Sequence, residues 1–453
     1  MRKVIFIFLL CIEGVSAQNV KENLFGFATS NTFTYCDVED TSFLNKVVAL
    51  QPKLLRFPGG AVGNFYHYGK LGYGFDFAEV DKYHNGKFPK RVRGLENSRN
   101  KKNQQQDYIE DFIILAKKTN AKAVLVANLF VDNDDISLMI EKLQHNNIEV
   151  VGVELGSELS NRSYFTKGYT IDEYILSAKS CSEKIKEKYP NLKTAIVVAP
   201  LGKRKGHRHN MWNEKLAKLD FYDAIIIHSY AKVTKGEDKY GQMISEESEG
   251  NNKTEAFDIY KNRAIDYLVN QYPKEVKQYE SIFNKPIWVT EWNLQMSKTT
   301  GNTLLQSLFV AHYLLELMSN PELSALELTT YHNLGGRDFS GSIFRNNKEK
   351  IEIQSTYYPL LMIGKIFEKN NVVKIVKKRY GEKFIYRCFN KDQINVITFS
   401  LDWRTLELVY SDNLSKDKFN FVGASFSSKN LYDIADKQGV LKLDTIVEVN
   451  LDE

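Results

Sequence analysis

Two glutamates stand where apolar runs stop. One closes Val151-Gly-Val-Glu-Leu-Gly-Ser-Glu158, and the other ends Pro286-Ile-Trp-Val-Thr-Glu291 and is followed by Trp-Asn. A carboxyl group can hold a proton for a leaving oxygen, and a carboxylate can attack a carbon. Held about 5 to 5.5 Å apart, two such groups cleave a glycosidic bond with retention of configuration, one as proton donor and the other as nucleophile. Glu154, four residues before Glu158, shares its parity along a strand and is expected to point inward and pair with a cation as a structural residue.

These residues need a frame that carries them to one place. Between residues 23 and 331, eight short runs, mostly apolar on both alternating sets, are separated by segments of helical character. The runs are Leu24 to Ala28, Lys53 to Phe57, Ala123 to Leu129, Val150 to Leu155, Thr194 to Ala199, Ala224 to Tyr230, Ile287 to Thr290 and Leu326 to Tyr331. Such runs suit parallel strands covered on both faces. Helices are expected at Asp107 to Lys118, Ile136 to His145, Ile171 to Lys188, Ala256 to Gln271 and Thr303 to Ser319; in the last, Leu304, Leu308, Ala311, Leu315 and Met318 mark a core-facing stripe. The alternation predicts an α/β fold, a (β/α)8 TIM barrel, whose chemistry lies at the carboxyl ends of the strands. An open doubly wound sheet is disfavoured, because no glycine-rich phosphate turn follows the first run. Glu158 and Glu291 then fall on strands four and seven, across the ring from one another. Beyond Tyr357 to Phe367, short strand-like stretches predict a C-terminal antiparallel β-sandwich over residues 368–453, leaving the barrel residues 18–367.

Residues 1–17 read as a signal peptide: Arg2 and Lys3, an apolar run from Val4 to Cys11, then Val15-Ser16-Ala17. The chain is expected to be secreted, periplasmic or extracellular, with no integral membrane span after cleavage. Without that segment Cys36, Cys181 and Cys388 remain, an odd number with no CxxC spacing, which argues against a disulfide framework or a zinc site. With 61 Lys+Arg against 56 Asp+Glu, the formal charge of +5 gives no reason to expect nucleic acid as a partner.

Four motifs, Lys53-Leu-Leu-Arg-Phe-Pro-Gly-Gly60, Val153-Glu-Leu-Gly-Ser-Glu158, Ile227-His-Ser-Tyr230 and Trp288-Val-Thr-Glu-Trp-Asn293, resemble the clan A retaining glycoside hydrolases, nearest the α-L-arabinofuranosidase, β-xylosidase and heparanase-like families. The resemblance runs in order along the whole chain beyond the signal segment. It implies Glu158 as acid/base and Glu291 as nucleophile, with Arg56, Tyr230 and His228 supporting the nucleophile, and neither cofactor nor metal. It departs at Ser157, where these families carry Asn on the sugar 2-hydroxyl; a serine there reaches through water, or signals another sugar or altered chemistry. Asn64, Tyr66, His67, Asn128 and Trp292 are candidate sugar contacts together with Ser157.

Basic residues crowd two segments expected as loops on the same rim: Lys87 to Lys102, with Arg91 and Arg93, and Lys203-Arg-Lys-Gly-His-Arg-His209, with Arg204 and Arg208. Guanidinium groups suit carboxylate or sulfate oxygens. The expected partner is a polysaccharide or oligosaccharide, with an anionic one, uronate-containing or sulfated, as the leading expectation. An exo-acting arabinofuranosidase or xylosidase on neutral glycans and a non-catalytic carbohydrate-binding barrel are the alternatives.

Overall fold

The computed structural model describes residues 16–99, 105–132, 134–234, 249, 253–295, 297, 300–337, 341–347, 350–368, 372–413 and 418–420. Its centre is a closed barrel of eight parallel strands: β1 (Gly26–Ala28), β2 (Leu54–Phe57), β3 (Lys122–Val126), β4 (Val150–Leu155), β5 (Lys193–Val197), β6 (Ala224–Ala231), β7 (Ile287–Leu294) and β8 (Leu326–Tyr331). Gly26 pairs with Thr330 to close the ring. Two strands coincide with the apolar runs at both ends; others begin or end one to four residues away, as strand limits usually do.

Register breaks mark β6 and β7 at their upper ends, between Ile227 and His228 and between Val289 and Trp292. Such bulges re-aim side chains. Here they fall at the residues that carry the candidate chemistry.

Helix α1 (Leu304–Ser319) differs from the expected stripe, since every one of its residues is buried. One side meets the barrel and the other meets an antiparallel sheet. That sheet is six-stranded and runs, edge to edge, from the N-terminal strand Ser16–Asn19 through β9 (Lys374–Tyr380), β10 (Lys383–Phe389), β11 (Asn395–Asp402) and β12 (Glu407–Asp412) to β13 (Lys418–Asn420). The chain is thus a TIM barrel with an antiparallel β domain after it. The expected strand Ile446 to Leu451 lies outside the described residues, as do residues 1–15 of the expected signal segment. Ser16–Asn19, which spans the expected cleavage point, pairs with Lys374–Lys377.

The interface with α1 is polar at one point, where His312 and Glu316 are tied to the sheet. Trp403 Nε1 donates to His312 Nδ1 at 3.0 Å, Tyr386 Oη to Glu316 Oε1 at 2.7 Å, and Lys377 Nζ to Glu316 Oε2 at 2.8 Å. Directional bonds between buried groups fix one docking geometry, which apolar contact alone leaves loose, although His312 Nε2 finds no hydrogen-bond partner among the described residues. Cys36, Cys181 and Cys388 are free thiols. No helix among the described residues is long and apolar enough to cross a membrane.

Candidate active site

Arg56 is the penultimate residue of β2 and is fully buried inside the barrel. Its guanidinium forks onto Glu154, Nε to Oε1 at 2.7 Å and Nη2 to Oε2 at 2.7 Å, and its remaining nitrogen Nη1 reaches Glu291 Oε1 at 2.8 Å. Parity explains the meeting, because inward-facing positions on β2, β4 and β7 share the barrel interior. Glu154 has the inward, cation-paired place expected of it.

Glu291 has its second oxygen bound by Tyr230 Oη at 2.7 Å. Nearby lie His228 Nδ1 at 3.6 Å and His332 Nε2 at 3.9 Å, both measured to Oε2. Burial alone pushes this carboxyl pKa up, but the charges of His228, His332 and Arg56, with the Tyr230 hydrogen bond, outweigh it and hold the group well below the usual carboxylate range. Tyr230 moves the other way: burial first and then the Glu291 charge keep its phenol protonated and donating.

Glu158 lies just past β4 on a turn that its neighbours dictate. Gly156 has φ +80°, and a Cβ there would stand 2.4 Å from Leu159 Cδ1. Glu158 itself has φ +53°, an unfavourable left-handed conformation for a residue with a side chain. The turn is clamped by Asn64, whose Oδ1 accepts from the Ser157 N–H at 2.7 Å and whose Nδ2 donates to the Ser157 carbonyl at 2.7 Å. The carboxylate then meets His228 Nδ1 at 2.9 Å and Asn161 Nδ2 at 2.8 Å. Burial lowers the His228 pKa, yet the charge of Glu291 and the hydrogen bond and charge of Glu158 together raise it.

A Glu158 oxygen, a His228 nitrogen and a Glu291 oxygen lie within 4.8 Å of one another. That separation suits direct attack by one carboxylate, since an interposed water needs carboxyl groups about 6.5 to 9.5 Å apart. Three such groups can also ligate a cation. With Arg56 and Tyr230 already donating to Glu291, this set resembles a neutralised carboxylate more than a metal ligand shell.

The remaining candidates divide. Ser157 is buried, with Oγ 3.2 Å from Arg56 Nη2. Asn64 acts on the turn and also donates to Tyr164 Oη, so it is engaged as a clamp and not as a sugar contact. Tyr66 is buried with its hydroxyl on Asp107 at 2.6 Å. His67 sits between Asp135 (3.6 Å) and Glu79 (3.3 Å), whose hydrogen bonding raises its pKa to about 9 against the opposing effect of burial. Asn128 donates to Glu79 Oε1 at 3.1 Å and lines a groove of about 410 Å³ that runs out to Lys184. Trp292 is one step out of parity with Glu291 and is stacked on Tyr313 at 4.4 Å, fully buried behind the barrel wall, so it does not face a sugar. The segment bearing Arg91 and Arg93 is largely helix α2 (Phe88–Asn97) and not a loop; Arg91 is exposed, and Arg93 is tied to Asp81 at 2.5 Å. Lys101 and Lys102 lie outside the described residues. Arg204 is exposed on the loop after β5, and Arg208 opens helix α3 (Arg208–Leu216).

His332 and Asn161 complete the site without having been singled out. Asn161, three residues beyond Glu158, was within reach of a turn argument; His332 follows β8 at once and stood in plain view at a strand end.

No protein-family model matches the chain, and neither does any curated protein. Solved structures do. The GH51 arabinofuranosidase of Xanthomonas axonopodis pv. citri aligns with TM-score 0.58 and 11% identity over 88% of this chain and 85% of that one. The α-L-arabinofuranosidase of Thermotoga maritima aligns with TM-score 0.53 and 15% identity over 90% and 84%. The family 51 α-L-arabinofuranosidase AbfB of Bifidobacterium longum aligns with TM-score 0.53 and 10% identity over 88% and 87%. The likeness spans most of both chains in each pair and shows the fold, a barrel followed by a β domain.

Proposed function

We propose that the protein is an exported, retaining glycoside hydrolase acting on a polysaccharide or oligosaccharide. The observation that carries this reading is that an oxygen of Glu158 and an oxygen of Glu291 lie within 4.8 Å of each other, with the second carboxyl held ionised by the groups around it. Glu291 attacks the sugar carbon while Glu158 protonates the departing oxygen. Glu158 then activates the water that releases the sugar from Glu291. His228 touches both carboxyl groups and is placed to follow the proton.

A 2-deoxy-2-fluoro glycosyl fluoride panel tests it. A covalent adduct on Glu291 by peptide mass, absent in Glu291→Gln with turnover reduced about 10³-fold or more, is the expected result. Ligand binding with no adduct and no turnover would favour the non-catalytic carbohydrate-binding reading instead. Activity confined to arabinofuranosides or xylosides with neutral aglycones would favour the exo-acting reading, towards which the names of the similar structures lean. Export is tested by the mass of the protein recovered outside the cytoplasm, expected to begin at Gln18.

A further inference from the structure

Many cations on this surface have partners. Arg93, Lys142, Lys186, Lys215 and Arg263 each lie within ion-pair distance of a carboxylate. Others, Arg91 and Lys118 among them, form no ion pair among the described residues, but the loops after β4 and β5 gather five such cations. Arg162, Lys203, Arg204, Lys205 and Arg208 form no ion pair among the described residues, and Arg162 and Arg208 come close enough that the charge of one, after burial, lowers the pKa of the other. Guanidinium groups gathered with no anion between them repel, and the repulsion is relieved when an oxyanion arrives.

These two arginines adjoin the acid/base. Arg208 Nη1 donates to the carbonyl of Ser160, two residues past Glu158, and Asn161, next to Arg162, holds Glu158 Oε2 at 2.8 Å. The Arg208 guanidinium lies 5.3 Å from the ring centre of Phe165, a residue 52% exposed. An exposed ring beside a sugar site is a stacking surface, and a guanidinium over it fixes an anion nearby. A small pocket of about 60 Å³ lies on the inner side of the Glu158 turn, lined by Glu158, Ser160, Asn161, Pro200, His228 and also Glu275; the two arginines and Phe165 stand outside it. The opposite side of the site, on the loops after β1 and β8, presents the buried uncharged Ser30 and Ser342 hydroxyls and the Asn333 amide, all without partners among the described residues, beside His332, which lies 3.9 Å from Glu291.

The acid/base must face the departing oxygen, so what lies beyond it borders the leaving group. We propose that Arg162, Arg208 and Phe165 form a subsite for an anionic leaving-group sugar, one bearing a carboxylate or a sulfate ester, while the sugar attacked by Glu291 is recognised through uncharged contacts. This rests on the hydrolase reading and adds to it the location of the charge.

The test uses the full-length protein. A panel of 4-nitrophenyl glycosides first identifies the sugar turned over. Its 3-carboxyphenyl, 3-sulfooxyphenyl and 3-carbamoylphenyl glycosides are then compared by kcat/KM, with the two charged arms separating uronate from sulfate. Wild type is expected to favour at least one charged aglycone about tenfold at low salt, with the preference shrinking as salt rises. Arg208→Gln and Arg162→Gln are expected to erase most of that preference, read as the ratio of kcat/KM on the charged and carbamoyl substrates, and Arg208→Lys to restore part of it. Lys118→Gln, an equal change of net charge on an exposed helical residue away from the site, controls for general electrostatics. Turnover with no charged preference, or an equal loss on all three substrates in the variants, overturns the inference alone. No turnover of any glycoside and no adduct on Glu291 removes the hydrolase reading and the inference with it.

Discussion

Replacing Arg56 by Met removes a cation and keeps most of the volume. The guanidinium is wholly buried, and so is Glu154, while the Glu291 side chain is 7% exposed. Three short charge-assisted hydrogen bonds disappear together, two to Glu154 and one to Glu291. Their separate values do not add, and breaking a buried pair by deleting one partner costs about 3–5 kcal/mol. Against a total stability of about 5–15 kcal/mol that loss is severe. Its pH dependence has a definite sign. In the wild type the depressed pKa of Glu291 contributes stability above its unfolded value of about 4.3, and that contribution is lost as pH falls through the folded value. Without Arg56 a buried carboxylate is relieved by taking up a proton, so the variant's folded state binds more protons than its unfolded state and its penalty grows from pH 5 to pH 8. Urea unfolding at pH 5, 6.5 and 8 measures this for wild type, Arg56→Met, Glu154→Gln and the double variant. The double variant is expected to regain half or more of the lost stability but none of the activity. A cost under about 1 kcal/mol, or one that is the same at every pH, would refute the reasoning.

Three further outcomes follow from the geometry. His228 has a raised folded pKa, so its stabilising contribution is complete below about pH 6.5 and fades as pH rises through the folded value; His228→Gln should therefore displace the alkaline limb of kcat/KM, and an unmoved limb would count against a proton-handling role. Glu316, whose pKa is brought down to about 2 by His312 and Lys377 against the opposing effect of burial, holds the β domain to the barrel. Its contribution is present above about pH 4.3 and lost as pH falls towards 2. Glu316→Gln leaves Lys377 unpaired and should cost about 3 kcal/mol in urea unfolding at pH 7, with a loss below about 1 kcal/mol contradicting the coupling. Gly156→Ala places a Cβ 2.4 Å from Leu159 at φ +80°; it should destabilise by about 1–3 kcal/mol and lower kcat more than it raises KM, because the turn it distorts aims Glu158, and a kinetically silent variant would show that the turn is not critical.

The barrel was legible because a strand covered on both faces is mostly apolar on both alternating sets, and Val150–Leu155 and Leu326–Tyr331 could be read to the residue. Helix α2 was not, since its charges concealed the spacing of Phe88, Val92 and Leu95, which face the core at steps of four and three. The N-terminal strand Ser16–Asn19 has no hydrophobic pattern to announce it; the edge of β9 supplies its partners. Burial of α1 on every side is a property of the two bodies that enclose it, and a single helix's periodicity cannot report a second layer.

In the site, Glu154 was readable by parity, which also sets Trp292 on the opposite face from Glu291, whereas Asn64 and Tyr66 beyond a strand end were not readable that way. Asn64 and Tyr66 follow a glycine turn, where alternation no longer says which way a side chain points. Glu154 shows what parity contributed. Arg56 lies against the nucleophile, and alone it would cancel the negative charge that must meet positive charge building on the sugar carbon. Glu154 takes two of its three hydrogen bonds to carboxylates, both at 2.7 Å, and so neutralises the guanidinium within the barrel. The charge left over at the centre is that of Glu291, oriented by Arg56 and Tyr230 without being extinguished. A permanent cation beside a carboxylate nucleophile therefore requires a second carboxylate behind it. The spacing of four between Glu154 and Glu158 supplies that group from the strand that also delivers the acid/base.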